Sequence, residues 1–250
     1  MAMQSVLRSL RVLEAVAEHQ PARVGELTRL LALPKSTVQR SLETLAEAGW
    51  LRQVDGDLTR WALTPRAQSV VLRSGGEVDL RDCALPPMQH LRDVAGETTH
   101  LFVPAGTYEV VVIERVDSRR SVRTIIPLGT VFPMAASSAG IAMLAHGPDE
   151  QVDPAITQAA RAESVPSGED LEKVREQVAA VHAKGYSCRL GWDRDVMGIG
   201  AAVINHRGEV AAGVSVSIPL SRFQYSNEAE WGREVKEAAA AISQALGYPG

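Results

Sequence analysis

The chain has 250 residues, with 26 lysine and arginine side chains, 30 aspartate and glutamate side chains and a hydrophobic fraction of 45%. This composition is typical of a folded globular protein and excludes a chain that is disordered throughout. No apolar run reaches the roughly 18–20 residues of a membrane helix, and the polar N-terminus is unlike a signal peptide. Two cysteines are too few for a disulfide framework. We therefore expect a cytoplasmic protein.

The charge is distributed unevenly along the chain. Residues 1–74 carry ten basic and seven acidic side chains, whereas residues 75–250 carry 16 basic and 23 acidic ones. A basic N-terminal part on an acidic remainder suggests that the N-terminal part contacts something anionic. The charge difference alone does not distinguish a DNA-binding domain from a solvated helical one.

The first 49 residues show the spacing of three helices. Apolar residues recur at helical intervals over residues 4–19, and Pro21 ends that pattern. A shorter apolar pattern runs from Val24 to Leu31, and a third begins at Pro34 and ends at Gly49. Because only two or three residues separate the second pattern from the third, the sequence predicts a helix, a tight turn and a helix.

The third helix has a polar face opposite its apolar stripe of Val38, Leu42 and Leu45. Donors and acceptors at the N-terminal end of such a helix can reach base edges and phosphates in the major groove of DNA. On these residues alone, a solvated helix face is an equally good interpretation. The candidate DNA-binding residues on this helix are Lys35, Ser36, Thr37, Gln39, Arg40 and Thr44.

A β-hairpin is predicted directly after the third helix. The strand-like runs 51–54 and 59–63 flank the turn residues Asp55, Gly56 and Asp57. Three helices followed by a small hairpin form a winged helix-turn-helix, in which Arg52 and Arg60 are candidates for contact with the phosphate backbone.

At this point the sequence resembles a known family. The segments LPKSTVQR, LAEAGWL and WALTPR, followed by FPMAASSAGIAMLA and MGIGAAVINHRGEVAAGVSVSIPLSRF, are similar in order and spacing to the IclR family of bacterial transcriptional regulators. The resemblance implies an α+β protein with an N-terminal winged helix-turn-helix domain, a helical linker, and a C-terminal GAF-like domain whose antiparallel sheet is flanked by helices. It also implies a small organic effector and a homodimer or a dimer of dimers.

The residue pattern also predicts the domain organisation independently of the family resemblance. Alternating patterns over 110–116 and 210–217 predict strands with one buried face. The helix-like segments in this half are 138–145, 171–184 and 228–246. We expect a DNA-binding domain over 1–64, a helical linker over 65–80 and an effector-binding domain over 81–250.

One further helix signal precedes these segments. One or two helices are predicted over 65–95, with a break near Gly75 and Gly76. Pro86 and Pro87 argue against an uninterrupted helix in this region.

The candidate effector site combines three segments that line the pocket in the family. Ser137 and Ser138 precede a helix, where they could receive a carboxylate or act as an N-cap. Ser215 and Ser217 alternate with apolar residues, so both hydroxyls point to one face of a strand. Trp192 could form an aromatic wall suited to a ring-bearing acid. The residues carried over or singled out are Ser137, Ser138, Ala139, Cys188, Trp192, Asp193, Met197, Gly198, Ser215 and Ser217.

No motif of a dinucleotide-binding enzyme, an α/β-hydrolase, a P-loop protein or a zinc protease is present. We therefore expect no enzyme activity, no cofactor and no metal site. The predicted function is a one-component transcriptional regulator that binds a double-stranded DNA operator and a small effector, without contact with membranes. The alternatives are a GAF-like ligand-binding or protein-interaction module whose N-terminal domain does not bind DNA, and a redox enzyme built on Cys188.

Overall fold

The computed structural model describes residues 3–54, 57–73, 80–161, 171–191 and 195–249. The chain divides into two compact units, Met1–Gly76 and Glu77–Gly250. The break predicted at Gly75 and Gly76, and the turn residues Asp55 and Gly56, lie outside the described residues.

The N-terminal unit contains the three predicted helices and the predicted hairpin. Its helices are α1 (Gln4–His19), α2 (Val24–Leu31), α3 (Lys35–Glu47) and α4 (Arg66–Arg73). Its strands are β1 (Ala22–Arg23), β2 (Leu51–Val54) and β3 (Asp57–Leu63), which form an antiparallel sheet in the order β1-β3-β2. The two-residue strand β1 was not predicted, because two residues are too short for a periodic signal.

One apolar core packs the three helices and the hairpin of this unit together. Val12 and Val16 of α1, Leu27 of α2 and Leu42 of α3 pack together with no exposed surface. Trp61 of β3 is 4% exposed and belongs to the same cluster. The apolar stripe of α3 is thus used for packing, which leaves its polar face outside the core.

The C-terminal unit is built around a six-stranded antiparallel sheet in the order β6-β5-β4-β9-β8-β7. Its strands are β4 (Thr98–Pro104), β5 (Glu109–Val116), β6 (Val131–Pro133), β7 (Ser187–Leu190), β8 (Val196–Ile204) and β9 (Val210–Pro219). Its helices are α5 (Leu80–Ala95), α6 (Ser138–Leu144), α7 (Val152–Arg161), α8 (Leu171–Lys184) and α9 (Glu228–Ala245).

Helices cover both faces of this sheet. Helices α5 and α9 pack on one face through side chains such as Met88 and Ile242. Helices α6, α7 and α8 form the core of the other face with Ile141, Ile156 and Val174. The predicted α+β architecture is confirmed.

The two helices described within 65–95, α4 and α5, agree with the prediction, but the argument from Pro86 and Pro87 was wrong. Helix α5 runs through both prolines without interruption. A proline removes one backbone hydrogen bond and crowds the preceding turn, at a cost of about 3 kcal/mol. Because α5 buries Ala84, Met88 and Leu91 between the sheet and α9, tertiary packing outweighs this local penalty.

Candidate DNA-reading surface and effector pocket

The polar face of α3 is accessible on the N-terminal unit. Lys35, Ser36, Arg40 and Thr44 are exposed, while Thr37 and Gln39 are half-buried. The buried residues of α3 face the core. These six side chains therefore lie on the flank of the helix and on the face that points away from the core. We call them the α3 surface; the geometry suits a helix that enters a major groove.

Two features of this surface were missed in the sequence. Glu43 is exposed next to the predicted residues and accepts a hydrogen bond from Gln39 Nε2 at 2.7 Å. A carboxylate at a groove-facing position accepts from the exocyclic amine of cytosine. Arg8 of α1 lines a groove of about 470 Å³ together with Ser36, Arg40 and other residues of α1 and α3. Arg8 was missed because its place depends on the packing of α1 against α3.

The two candidate arginines of the hairpin differ in exposure. Arg52 on β2 is exposed, whereas Arg60 on β3 is half-buried and lies opposite Arg23 of β1. Arg52 is therefore better placed than Arg60 to contact a phosphate.

A cavity of about 130 Å³ lies in the C-terminal unit and brings five of the predicted effector-site residues together. These residues are Ser137, Ser138, Gly198, Ser215 and Ser217. The rest of the lining is Phe102, Thr124, Ile125, Ile126, Pro127, Thr130, Phe132, Ala136, Arg189, Gly191 and Val196. We call this cavity the serine pocket.

Ser137 acts as an N-cap, which is the alternative interpretation of this residue from the sequence. Its Oγ accepts a hydrogen bond from the Gly140 amide at 3.0 Å and so caps α6, while the residue also lines the serine pocket. Helix α6 has only seven residues, and one of its first amides is used by the cap. The helix terminus itself is thus a weak attraction for an anion.

Glycines bring α6 close to the sheet. A Cβ atom at Gly198 would lie 2.6 Å from Ser138 Oγ, and one at Gly200 would lie 2.6 Å from the backbone nitrogen of Ala139. Because these strand positions lack side chains, Ser138 reaches the same cavity as Ser215 and Ser217.

Three of the predicted residues that the structure describes do not line the serine pocket. Cys188 and Met197 pair with Ile199 and Ile218 in the sheet and lie on the opposite face, where they border a separate cavity of about 290 Å³. Ala139 is fully buried against the sheet, because consecutive residues of a helix point in different directions and Ser138 takes the direction of the pocket. Trp192 and Asp193 lie outside the described residues.

Arg189, next to Cys188, is the charged residue of the serine pocket. It is 2% exposed, lines the cavity and donates from Nη1 to Gln177 Oε1 of α8 at 2.7 Å. A guanidinium remains charged when buried and presents several donors to a carboxylate. The pocket thus combines a cation, several hydroxyl groups and two phenylalanine rings.

The outer wall of the pocket is the irregular segment 124–130 between β5 and β6. Arg115 Nη1 donates to the carbonyl of Ile126 at 2.9 Å. Glu97, which is 2% exposed, binds Arg222 through both of its oxygens, and Arg222 also donates to the carbonyl of Val122 at 3.1 Å. These arginines attach the segment and the chain before it to the sheet.

Other kinds of site were sought in the same described residues. No group of three histidine, cysteine, aspartate or glutamate side chains among them could hold a metal ion. No helix within the described part of the chain is long and apolar enough to cross a membrane.

Family comparisons identify the two units. The sequence profile described as the IclR helix-turn-helix domain matches residues 5–55, and that of the bacterial transcriptional regulator IclR C-terminal domain matches residues 73–244. The chain belongs to the IclR family. The match covers both the unit with the α3 surface and the unit with the serine pocket.

Individual IclR-family proteins are similar over nearly the whole chain. The transcriptional repressor IclR of Escherichia coli (strain K12) is 30% identical over 98% of this chain and 90% of its own length. The regulator KdgR of the same strain is 28% identical over 98% and 94%. The crystal structure of an IclR homologue from Microbacterium hydrocarbonoxydans, complexed with 4-hydroxybenzoate, has a TM-score of 0.78 and 26% identity over 97% of this chain and 99% of that one.

The protein is therefore a DNA-binding transcriptional regulator of the IclR family with a C-terminal effector-binding domain. The predicted function and architecture are confirmed at this level. An N-terminal domain that does not bind DNA is not favoured by these relationships.

Proposed function

We propose that the effector of this regulator is a small monocyclic aromatic carboxylic acid bound in the serine pocket. The observation that carries this proposal is the combination of buried Arg189 with Phe102 and Phe132 around one cavity of about 130 Å³. Since an apolar cavity of about 150 Å³ holds one benzene ring, a cavity of this size limits the ligand to a single ring. An aliphatic acid would leave the aromatic walls partly uncovered, and a neutral ring would not use the charge-assisted hydrogen bonds that a guanidinium such as that of Arg189 donates to a carboxylate.

The IclR homologue that was crystallised with 4-hydroxybenzoate supports the same ligand class. At 26% identity it carries the same fold, and its ligand is a small acid with a single aromatic ring. For this chain, Ser138, Ser215 and Ser217 would supply hydroxyl groups and Arg189 the positive charge.

The test is a titration of the protein–operator complex with benzoate, 4-hydroxybenzoate, benzamide and pyruvate. We expect a response to the two aromatic acids only. Arg189→Gln should weaken binding of benzoate by about tenfold or more, the value of one charge-assisted hydrogen bond, with DNA affinity unchanged. Arg207→Gln, which removes an exposed arginine of the β8–β9 turn, is the matched control and should change neither. A response to pyruvate alone would reject this effector class.

We also propose that the α3 surface reads the operator. Lys35, Ser36, Thr37, Gln39, Arg40 and Thr44 would contact base edges and adjacent phosphates, and Arg52 and Arg60 would contact the backbone. Exposure supports Arg52 more strongly than Arg60. A regulator with this activity works in the cytoplasm, where the chromosome of a bacterium lies.

The functional assembly is proposed to be a homodimer or a dimer of dimers. Met3, just before α1, and Leu7 on α1 are 70% and 44% exposed, and neither lines the groove that α1 shares with Ser36 and Arg40. A second copy would cover this apolar face and place two α3 helices on the half-sites of a palindromic operator. Leu7→Glu should lower the sedimentation coefficient toward that of the monomer, whereas Leu30→Glu, the same change at an exposed leucine of α2, is the control and should leave it unchanged.

We propose no enzymatic role for Cys188. Burial, followed by the negative charge of Glu228, raises the pKa of its thiol to about 12. A thiol with such a pKa is not ionised near neutral pH and is a poor nucleophile. The domain limits 1–64, 65–80 and 81–250 likewise remain our proposal; limited proteolysis of the full chain tests them.

A further inference from the structure

A fully buried histidine lies behind the serine pocket. His100 of β4 has no exposed surface and is opposite Ser215 of β9 and Arg115 of β5 in the sheet. Its ring centroid is 6.1 Å from that of Phe102, a residue of the pocket wall. His100 itself does not line the cavity, so any effect on a ligand must act through a neighbour.

That neighbour is Ser217. His100 Nδ1 lies 3.2 Å from Ser217 Oγ, within hydrogen-bonding distance, and Ser217 lines the serine pocket. The direction of this bond depends on which ring nitrogen of His100 carries the proton. The same choice decides whether the hydroxyl group of Ser217 is a donor or an acceptor toward the pocket.

The imidazole ring is neutral. Burial, and secondly the positive charge of Arg115, lower the pKa of His100 to about 3. A neutral imidazole has one N–H and one bare nitrogen. Only two arrangements of His100 and Ser217 therefore compete near neutral pH.

The surroundings of the second nitrogen decide between the two arrangements. His100 Nε2 is buried and has no hydrogen-bond partner among the described residues. If Nε2 carried the proton, a buried N–H donor would be left unpaired, which is rarer and less favourable in proteins than an unpaired acceptor. The proton on Nδ1 avoids this and is used in the bond to Ser217.

We propose that His100 is a positioning residue that makes Ser217 a hydrogen-bond donor toward the effector. With Nδ1–H donating to Ser217 Oγ, the single hydrogen of the hydroxyl group is left to point into the serine pocket. A carboxylate oxygen accepts that hydrogen more strongly than the neutral carbonyl oxygen of a carboxamide does, because the acceptor is charged, and the NH₂ group of a carboxamide cannot accept it at all. The inference deepens the proposed function and rests on it for the assignment of a carboxylate ligand.

The arrangement has a spectroscopic signature that requires no ligand. Long-range ¹⁵N–¹H correlation spectra of the full chain with labelled histidine distinguish a protonated Nδ1 from a protonated Nε2. The signal of His100 is assigned among the six histidines by its loss in His100→Asn. We expect a protonated Nδ1 whose shifts do not change between about pH 7 and about pH 5, where an ordinary imidazole titrates. A protonated Nε2 would overturn the proposal.

Two variants of similar size test the consequence for ligand choice. Asparagine keeps an N–H donor near the position of Nδ1, whereas leucine removes it. Calorimetry with benzoate and benzamide should show that His100→Asn retains the preference for benzoate and that His100→Leu reduces it by about tenfold or more, as expected for a hydrogen bond to a charged group. Equal preference in both variants would contradict the positioning role, whatever their stability.

The two proposals fail in different ways. If the wild-type protein shows a protonated Nδ1 but binds neither benzoate nor benzamide, the proposed effector class is wrong while the orientation of Ser217 is confirmed. If it binds benzoate and carries the proton on Nε2, the effector class holds and the role of His100 is wrong.

Discussion

The α3 surface and the serine pocket differ in how far apart their residues are in the sequence and in how deeply they are buried. The α3 surface consists of residues close together in sequence on one helix, and most of them are accessible. The serine pocket joins residues from five strands, α6 and an irregular segment, and Ser138, Ser215, Ser217 and Arg189 in it are almost fully buried. Substitutions on the α3 surface should therefore change DNA binding with little effect on stability, whereas substitutions around the pocket should affect binding and folding together.

The largest effect is expected where α6 approaches its own preceding turn. A Cβ atom at Gly140 would lie 2.1 Å from the carbonyl oxygen of Met134. Gly140→Ala should destabilise the C-terminal unit by about 3 kcal/mol or more, because the contact is with backbone that cannot move aside. Thermal unfolding followed by hydrogen exchange should show the loss in that unit alone; an unchanged transition would show that α6 is not held this closely.

A smaller effect, on binding alone, is expected at Arg40. Arg40→Ala should weaken binding to the specific operator by about 1–3 kcal/mol, with little loss on random DNA. Arg52→Ala should weaken both and reduce the slope of log affinity against log salt by about one. Fluorescence anisotropy over a range of salt concentrations measures both. Equal losses of Arg40→Ala on the two DNAs would remove this helix position from base reading.

The buried histidine should make stability depend on pH. The folded state depresses the pKa of His100 to about 3 from 6.5, so the unfolded chain binds the extra proton first as the pH falls. Stability is therefore complete above about pH 6.5 and decreases below it, by at most about 1.4 kcal/mol per pH unit. Urea unfolding of the wild type and of His100→Asn between about pH 7 and about pH 4 should show a shallower decrease in the variant. Parallel curves would contradict the depressed pKa.

The smallest effect is expected in the N-terminal unit. A Cβ atom at Gly25 of α2 would meet no atom within 4 Å. Gly25→Ala should stabilise this unit by about 0.4–1 kcal/mol, because alanine loses less backbone entropy than glycine in a helix. Gly25→Ala and Gly140→Ala are the same substitution at an open and at a closely packed helix position, and so control for each other. A loss of stability in Gly25→Ala would mean that another part of the protein covers this surface of α2.

Much of the fold was predictable from periodicity. The apolar positions of α1, α2 and α3 repeat at the helical interval, and the polar face of α3 follows as their complement. The path of α5 through Pro86 and Pro87 was not predictable, because the packing that stabilises it comes from α9 and the sheet. Local propensity indicated a break that tertiary contacts prevent.

The pocket was predictable only in part. Alternation placed Ser215 and Ser217 on one face, and both line the cavity. In β7 the sequence did not indicate which set of alternating side chains faces the serines. A shift of one residue decides whether Cys188 or Arg189 points toward the pocket. His100 is 117 residues from Ser217, and their contact follows from the pairing of β4 with β9. No local pattern marks that pair.

The outermost strands of the six-stranded sheet have a consequence for the behaviour of the protein at high concentration. At one edge β6 has three residues and ends in Pro133, and at the other β7 has four. Such short edges offer few free backbone groups to an incoming chain. Overproduction should therefore give little aggregation by strand addition at the edges of this sheet.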